Sequence, residues 1–291
     1  MCGVVGLLLR DDALRPRLGE LVTTMLCQAS GRGPDAAGVG VYGDRDLVPD
    51  GQVAVSVLGA TVDVPPSVLP ELRRLERGPT TVFTAATDVA TLEAAVVASQ
   101  PEAVVIGRGS SLAVLKGTGT PADLADRVGL AAMTGHLAIG HTRMATESAV
   151  TPAHSHPFAV APDFCLVHNG SFSNHASVRR ELRAAGVEFD SDNDSEVGAR
   201  YVAACLAAGD DLDKALLRLG ERFDGFYTLV VTTADTLAVV RDPIACKPAV
   251  IAETPEWVAV ASEFRQLAAL PGIERATLTE PIPDEVYSWT C

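Results

Sequence analysis

Apolar residues fall along this chain in short, closely spaced runs, and their spacing sorts them into elements. Residues 2–9 are almost continuously apolar, which predicts a short strand buried on both faces. Helical spacing at 13–29 predicts a helix, and the Gly/Pro cluster at 31–35 predicts a turn. Strands are expected at 36–42 and 53–58. The region from 44 to 135 has an alternation of its own, with candidate strands at 80–85, 103–106 and 112–116 and candidate helices at 90–98 and 122–128. Two further strands, 136–142 and 164–168, precede amphipathic helices at 178–185 and 196–208. Near the end, runs at 227–232, 236–241, 249–252 and 258–261 follow one another without an intervening helix. Strands this close pair antiparallel, because parallel neighbours need a long crossover. The pattern predicts an α+β chain whose sheets are covered by helices.

Composition narrows the function. The 291 residues are 47% hydrophobic and 21% charged, the balance of a globular protein with a sizeable core. Lys plus Arg is 23 and Asp plus Glu is 37, a formal charge of −14 that repels phosphate backbones, so no nucleic-acid partner is expected. No run approaches 18 apolar residues, and the apolar start at 4–9 is too short for a secretory segment, so no membrane partner is expected and the expected location is cytoplasmic. Six scattered cysteines without a C-x-x-C pair argue against a disulfide framework or a zinc knuckle.

Three motif matches fail on context. Gly38, Gly40 and Gly43 spell G-x-G-x-x-G, but Asp44, Arg45 and Asp46 follow where a helix should open. Asp190, Asp192 and Asp194 begin like a calcium loop, but Ser195 and Tyr201 replace its glycine and glutamate. His154 and His156 lack a third ligand at suitable spacing, so no metal is expected.

Cys2 reads two ways. It is a buried cysteine on a strand, or, once Met1 is trimmed, a thiol beside its own α-amine. Such an amine, with a pKa of about 7.7–8.0, can act as base for the thiol. Other residues carry groups suited to a carboxylate, an ammonium and a developing oxyanion. Arg143 has the planar fork that suits a carboxylate, or it is an ordinary ion-pair arginine. Asp194 can hold an ammonium, or cap the helix that follows, or both. Asn169 and Gly170 offer a side-chain amide and a backbone N–H from a tight turn to a developing oxyanion, or are simply an Asn-Gly hairpin turn.

Taken in order, the segments Cys2-Gly3-Val4-Val5-Gly6, Arg32-Gly33-Pro34-Asp35, Gly140-His141-Thr142-Arg143-Met144-Ala145-Thr146, His156-Pro157, His168-Asn169-Gly170 and Asn193-Asp194-Ser195-Glu196-Val197 closely resemble class II glutamine amidotransferase domains of the N-terminal-nucleophile (Ntn) hydrolase type. Phe223-Asp224-Gly225-Phe226, Arg241-Asp242-Pro243 and Ala261-Ser262-Glu263-Phe264 look like that domain's closing strands. Segments 141–148 and 241–248, with the long 44–135 region, are most similar to the stand-alone amidotransferase subunit of split glutamate synthases and of N-methylglutamate synthase. The resemblance implies one domain over 1–291 with a family-specific insertion at about 44–135, folded as an αββα four-layer sandwich of two antiparallel sheets. It implies glutamine hydrolysis to glutamate through a thioester on Cys2, with no cofactor for that half-reaction. Asn169 and Gly170 would serve the oxyanion, Arg143 and Thr146 the substrate carboxylate, and Asp194 its ammonium. Arg32 and Gly33 would form a loop near the nucleophile, and His156 would shape the pocket. Met144 stands where glucosamine-6-phosphate synthases carry tryptophan. The chain ends after the amidotransferase segments, so ammonia is expected to pass to flavin- and iron–sulfur-containing glutamate synthase-like subunits. Two alternatives stay open, an independent Ntn amidohydrolase and a catalytically silent regulatory or assembly subunit.

Overall fold

The computed structural model describes residues 2–144 and 151–291. In chain order the elements are β1 (Gly3–Leu9), α1 (Leu18–Gln28), β2 (Ala36–Tyr42), β3 (Val53–Leu58), β4 (Arg73–Arg77), β5 (Thr80–Ala85), α2 (Val89–Ser99), β6 (Val104–Gly109), β7 (Leu112–Thr118), α3 (Pro121–Val128) and β8 (Leu137–Arg143). They continue with β9 (Cys165–Phe172), α4 (His175–Ala184), α5 (Asp194–Ala207), α6 (Leu212–Arg222), β10 (Gly225–Thr232), β11 (Thr236–Arg241), β12 (Val250–Glu253), β13 (Trp257–Ala261), β14 (Thr277–Thr279) and β15 (Val286–Thr290).

Two antiparallel sheets face each other. The larger has the order β14-β12-β13-β1-β8-β2-β7, and the smaller β15-β11-β10-β9. Their facing sides bury Val4, Leu8, Ile139 and Val260 against Val167, Val230 and Val239. The outer face of the large sheet puts Val5, Leu7 and Val39 against Leu21 and Met25 of α1 and Leu124 of α3. The outer face of the small sheet puts Leu166, Leu229 and Val231 against Val178, Val202 and Leu216 from α4, α5 and α6. The result is the four-layer αββα sandwich. It also explains why β1 has no polar alternation: Val4 and Leu8 face one layer while Val5, Leu7 and Leu9 face the other, so all seven residues are buried.

A third antiparallel sheet, β4-β5-β3-β6, lies beside this sandwich with α2 packed on it through Leu92 and Val96. It accounts for only part of the 44–135 region. β7 pairs with β2 as the edge of the large sheet, and α3 packs on α1. The outward N–H groups of β7 are met by side chains of the third sheet: Val114 N donates to Ser56 Oγ (3.1 Å) and Lys116 N to Thr80 Oγ1 (3.3 Å). These bonds quench an edge that would otherwise be left unpaired.

Three local expectations need correction. The helix expected at 13–29 is a 3₁₀ segment, Asp12–Arg17, followed by α1, because Pro16 inside the first turns has no N–H to give. Asn169 and Gly170 are not in a tight turn: β9 runs on through them to Phe172, with Asn169 opposite Thr228 and Gly170 opposite Tyr227. Finally, α6 was not expected, although Leu212, Ala215, Leu216 and Leu219 bury one face and Asp211 caps it through Lys214 N (2.8 Å).

Candidate active site

The sandwich brings strand ends from both sheets to one cavity of about 480 Å³. Cys2 sits at the mouth of β1, Arg143 and Met144 at the end of β8, Asn169 and Gly170 in β9, and Asp194 at the start of α5, and all of them line it. His156 lines it too. Arg32 and Gly33 stand behind this wall and not in it. Arg32 is buried, donates from Nε to the Cys2 carbonyl (3.0 Å) and pairs with Glu263, so it fixes the Cys2 backbone. Gly33 lies so close to β8 that a Cβ there would stand 2.5 Å from the Arg143 carbonyl carbon. Thr146 lies outside the described residues.

The carboxylate of Asp194 is held from two sides. Phe172 N donates to Oδ2 (2.8 Å) and Ser195 Oγ to Oδ1 (3.3 Å). The α5 cap is not Asp194 but Asn193, whose Oδ1 accepts from Ser195 N (2.9 Å). Asp194 is thereby released from capping, with its negative charge at the positive end of the helix dipole. Behind it, His168 Nδ1 lies 2.8 Å from Ser195 Oγ. One hydroxyl has one proton and gives it to Asp194, so His168 Nδ1 carries the hydrogen and donates to Ser195. Arg143 Nη1 donates to the His154 carbonyl (3.1 Å), which orients the guanidinium along the cavity wall.

Asn169 is buried, and its Nδ2 meets no acceptor among the described residues, so one amide donor remains to be used in the cavity wall. Gly170 is required by contact: a Cβ would fall 2.1 Å from the Phe226 carbonyl oxygen of β10.

Three histidines, 141, 156 and 168, pack around this site. The rings of His141 and His156 lie 4.1 Å apart, those of His156 and His168 6.3 Å, and His141 Nε2 is 3.2 Å from the His168 carbonyl. Burial drives His141 down to about 3, holds His156 well below the usual imidazole range and lowers His168 as well. The cluster is therefore a neutral wall at pH 7. Among the described residues no group of three or more His, Cys, Asp or Glu is placed to hold a metal ion, and no helix is long and apolar enough to cross a membrane.

Sequence reasoning assigned no role to His168, Ser195 or Lys247, all of which line the cavity. His168 had a signal in its place directly before Asn169. Lys247 stands inside the 241–248 segment that carries the resemblance, but nothing in that segment says that it reaches a site almost 80 residues away in the chain.

The two-sheet αββα sandwich thus carries Cys2 beside the cavity, directly before the central strand β1 of the large sheet. Solved structures agree on the fold. Glutamine phosphoribosylpyrophosphate amidotransferase from B. subtilis, complexed with ADP and GMP, matches 99% of this chain with a TM-score of 0.63 at 18% identity, and this chain spans 49% of its length. A glutamine amidotransferase domain model matches residues 141–269. The glutamine amidotransferase-like protein GlxB of Rhizobium meliloti is 44% identical over 298 residues, covering 99% of this chain and 98% of that protein. A putative glutamine amidotransferase of Methanothermobacter thermautotrophicus is 32% identical over 99% of both chains. This chain belongs to the glutamine amidotransferase family.

Proposed function

We propose that the protein hydrolyses L-glutamine to glutamate through a γ-glutamyl thioester on Cys2 and hands the ammonia to a partner. The observation that carries the reading is the convergence of Cys2, Arg143, Asn169, Gly170 and Asp194 on one cavity. Arg143 takes the substrate carboxylate, with Thr146 assisting, and Asp194 takes the ammonium. That pairing fixes both ends of an α-amino acid and leaves the side-chain amide to face the thiol. After removal of Met1, the α-amine of Cys2 accepts the thiol proton and sulfur attacks the amide carbon. Asn169 Nδ2 and Gly170 N–H stabilise the oxyanion. The C–N bond then breaks, ammonia leaves with the proton, and water hydrolyses the thioester. Neutral His156 shapes the pocket, while Arg32 and Gly33 hold Cys2 and the end of β8 in place.

The acceptor is taken to be a glutamate synthase-like assembly with flavin- and iron–sulfur-containing subunits in the cytoplasm, where free thiols persist. All six cysteines are free, and exposed Met144, Phe226 and Ile244 offer apolar contact area. A loop that closes only in such an assembly would gate the chemistry.

Intact-mass analysis of active protein is expected to show loss of Met1, and a glutamine-like electrophile is expected to label Cys2. Cys2→Ala is expected to lose essentially all glutaminase activity. Full activity in that variant removes the reading. Co-expression with the flavin and iron–sulfur subunits, followed by size-exclusion chromatography, tests the partner.

A further inference from the structure

The loop after β11 contributes a cation to the cavity that neither end of glutamine uses. Among the described residues lining the cavity the charged side chains are Arg143, Asp194 and Lys247. In the proposed reading, on which this inference rests, Arg143 meets the carboxylate and Asp194 the ammonium. Lys247 is left over, and its Nζ has no hydrogen-bond or ion-pair partner among the described residues.

Its position is built. Asp242, fully buried, accepts from Tyr227 N at Oδ2 (2.7 Å) and from Ile244 N at Oδ1 (2.9 Å), which fixes the start of the loop on β10. Thr228 Oγ1 then donates to the Lys247 carbonyl (2.8 Å). Thr228 is the residue directly across from Asn169. Cross-strand partners share a face, and Val167 and Val230, each two residues away along its strand, place that face between the two sheets. Phe226 shares it, and Lys247 Nζ lies 4.9 Å from the Phe226 ring centroid. Val4, two residues after Cys2, also points between the sheets, so the parity of β1 directs Cys2 to the same side.

We infer that Lys247 is a further catalytic residue, whose ammonium joins Asn169 and Gly170 in stabilising the oxyanion of the tetrahedral intermediates. The lysine does not exchange its proton. It supplies positive charge while the carbonyl oxygen is negative, in both acylation and hydrolysis of the thioester. A group of this kind acts on the transition state more than on bound glutamine.

The test uses the whole protein with Lys247→Met and Lys247→Arg. Lys247→Met is expected to lower kcat for glutamine hydrolysis by about 10²-fold, the usual loss for one oxyanion donor, with KM changed less than about threefold. Lys247→Arg, which keeps the charge, is expected to recover at least about tenfold of that loss. A glutamine-derived γ-aldehyde, which adds to the Cys2 thiol and leaves an oxyanion-like oxygen, should bind Lys247→Met weaker by a factor similar to the loss in kcat. Thermal unfolding should be unchanged, since the side chain is only half-buried. A rise in KM with unchanged kcat would make Lys247 a carboxylate contact and overturn the inference, and unchanged kcat and KM would overturn it as well. Wild-type protein that binds neither glutamine nor the aldehyde would overturn the glutaminase reading with it.

Discussion

At the scale of single residues, the proposed chemistry turns on atoms left without partners inside a packed wall. Asn169 Nδ2 is such an atom, buried and without an acceptor among the described residues. A buried amide donor costs stability when unpaired, so its retention is consistent with a partner that exists only during reaction. Asn169→Ala is therefore expected to lower kcat by about 10²–10³-fold while leaving glutamine affinity nearly intact. Steady-state kinetics check this, and a large loss of affinity with unchanged kcat would return Asn169 to a purely structural role. That Cys2, Arg143, Asn169, Gly170 and Asp194 belong to one site was legible through the ordered motifs they stand in, and the cavity they line together agrees with that grouping. How they are held was not legible. Nothing in the sequence says that Arg32 grips the Cys2 carbonyl, or that Asn193 takes over capping so that Asp194 faces the cavity. Those assignments depend on which partner reaches first in three dimensions.

At the scale of elements, both the successes and the misses follow from how far each pattern is local. β2, β3 and β5 have the predicted bounds, because each is a short run of small, apolar and β-branched residues buried along nearly its whole length. β9 extends past Asn169-Gly170 because β10 offers a continuous ladder, and tertiary pairing overrides a strong local turn signal. β4 could not be seen in the sequence, since Arg73, Arg74, Glu76 and Arg77 form an edge strand made largely of charge. α6 had a readable i, i+3, i+4, i+7 stripe. The junction of Gly33 with β8 yields an element-level prediction. In Gly33→Ala the new methyl would lie 2.5–2.7 Å from backbone atoms of Thr142 and Arg143, so the end of β8 must move. The expected cost is about 1–3 kcal/mol of stability, as for other overpacked sites, with a roughly tenfold rise in KM for glutamine because Arg143 moves with the strand. Thermal unfolding and kinetics on one preparation check both. Wild-type values for the two would mean the backbone tolerates the methyl and the contact does not position Arg143.

For the whole molecule, the neutral histidine cluster ties the site to folding through pH. Burial, the largest cause, lowers His141 to about 3 and depresses His156 and His168 as well. In the unfolded chain each titrates near 6.5. Below that value the unfolded state binds protons that the native state does not, so stability falls as pH falls. Above about pH 7.5 the histidines contribute no slope, because both states are neutral. Between pH 7.5 and 5.5 the loss for His141 alone is on the order of 1 kcal/mol, and the other two add in the same direction. Carboxylates paired in the native state add only at lower pH, where their own protonation begins, so the histidine window is separable from ordinary acid unfolding. Denaturant titrations at pH 7.5 and 5.5 should show the drop in midpoint. His141→Gln has nothing to titrate at this position, and it should remove on the order of 1 kcal/mol of that pH dependence whatever it does to absolute stability. If the variant and the wild-type lose the same stability over this window, His141 takes up its proton in the folded protein as it does in the unfolded chain, and the wall around the proposed thioester site is not neutral there.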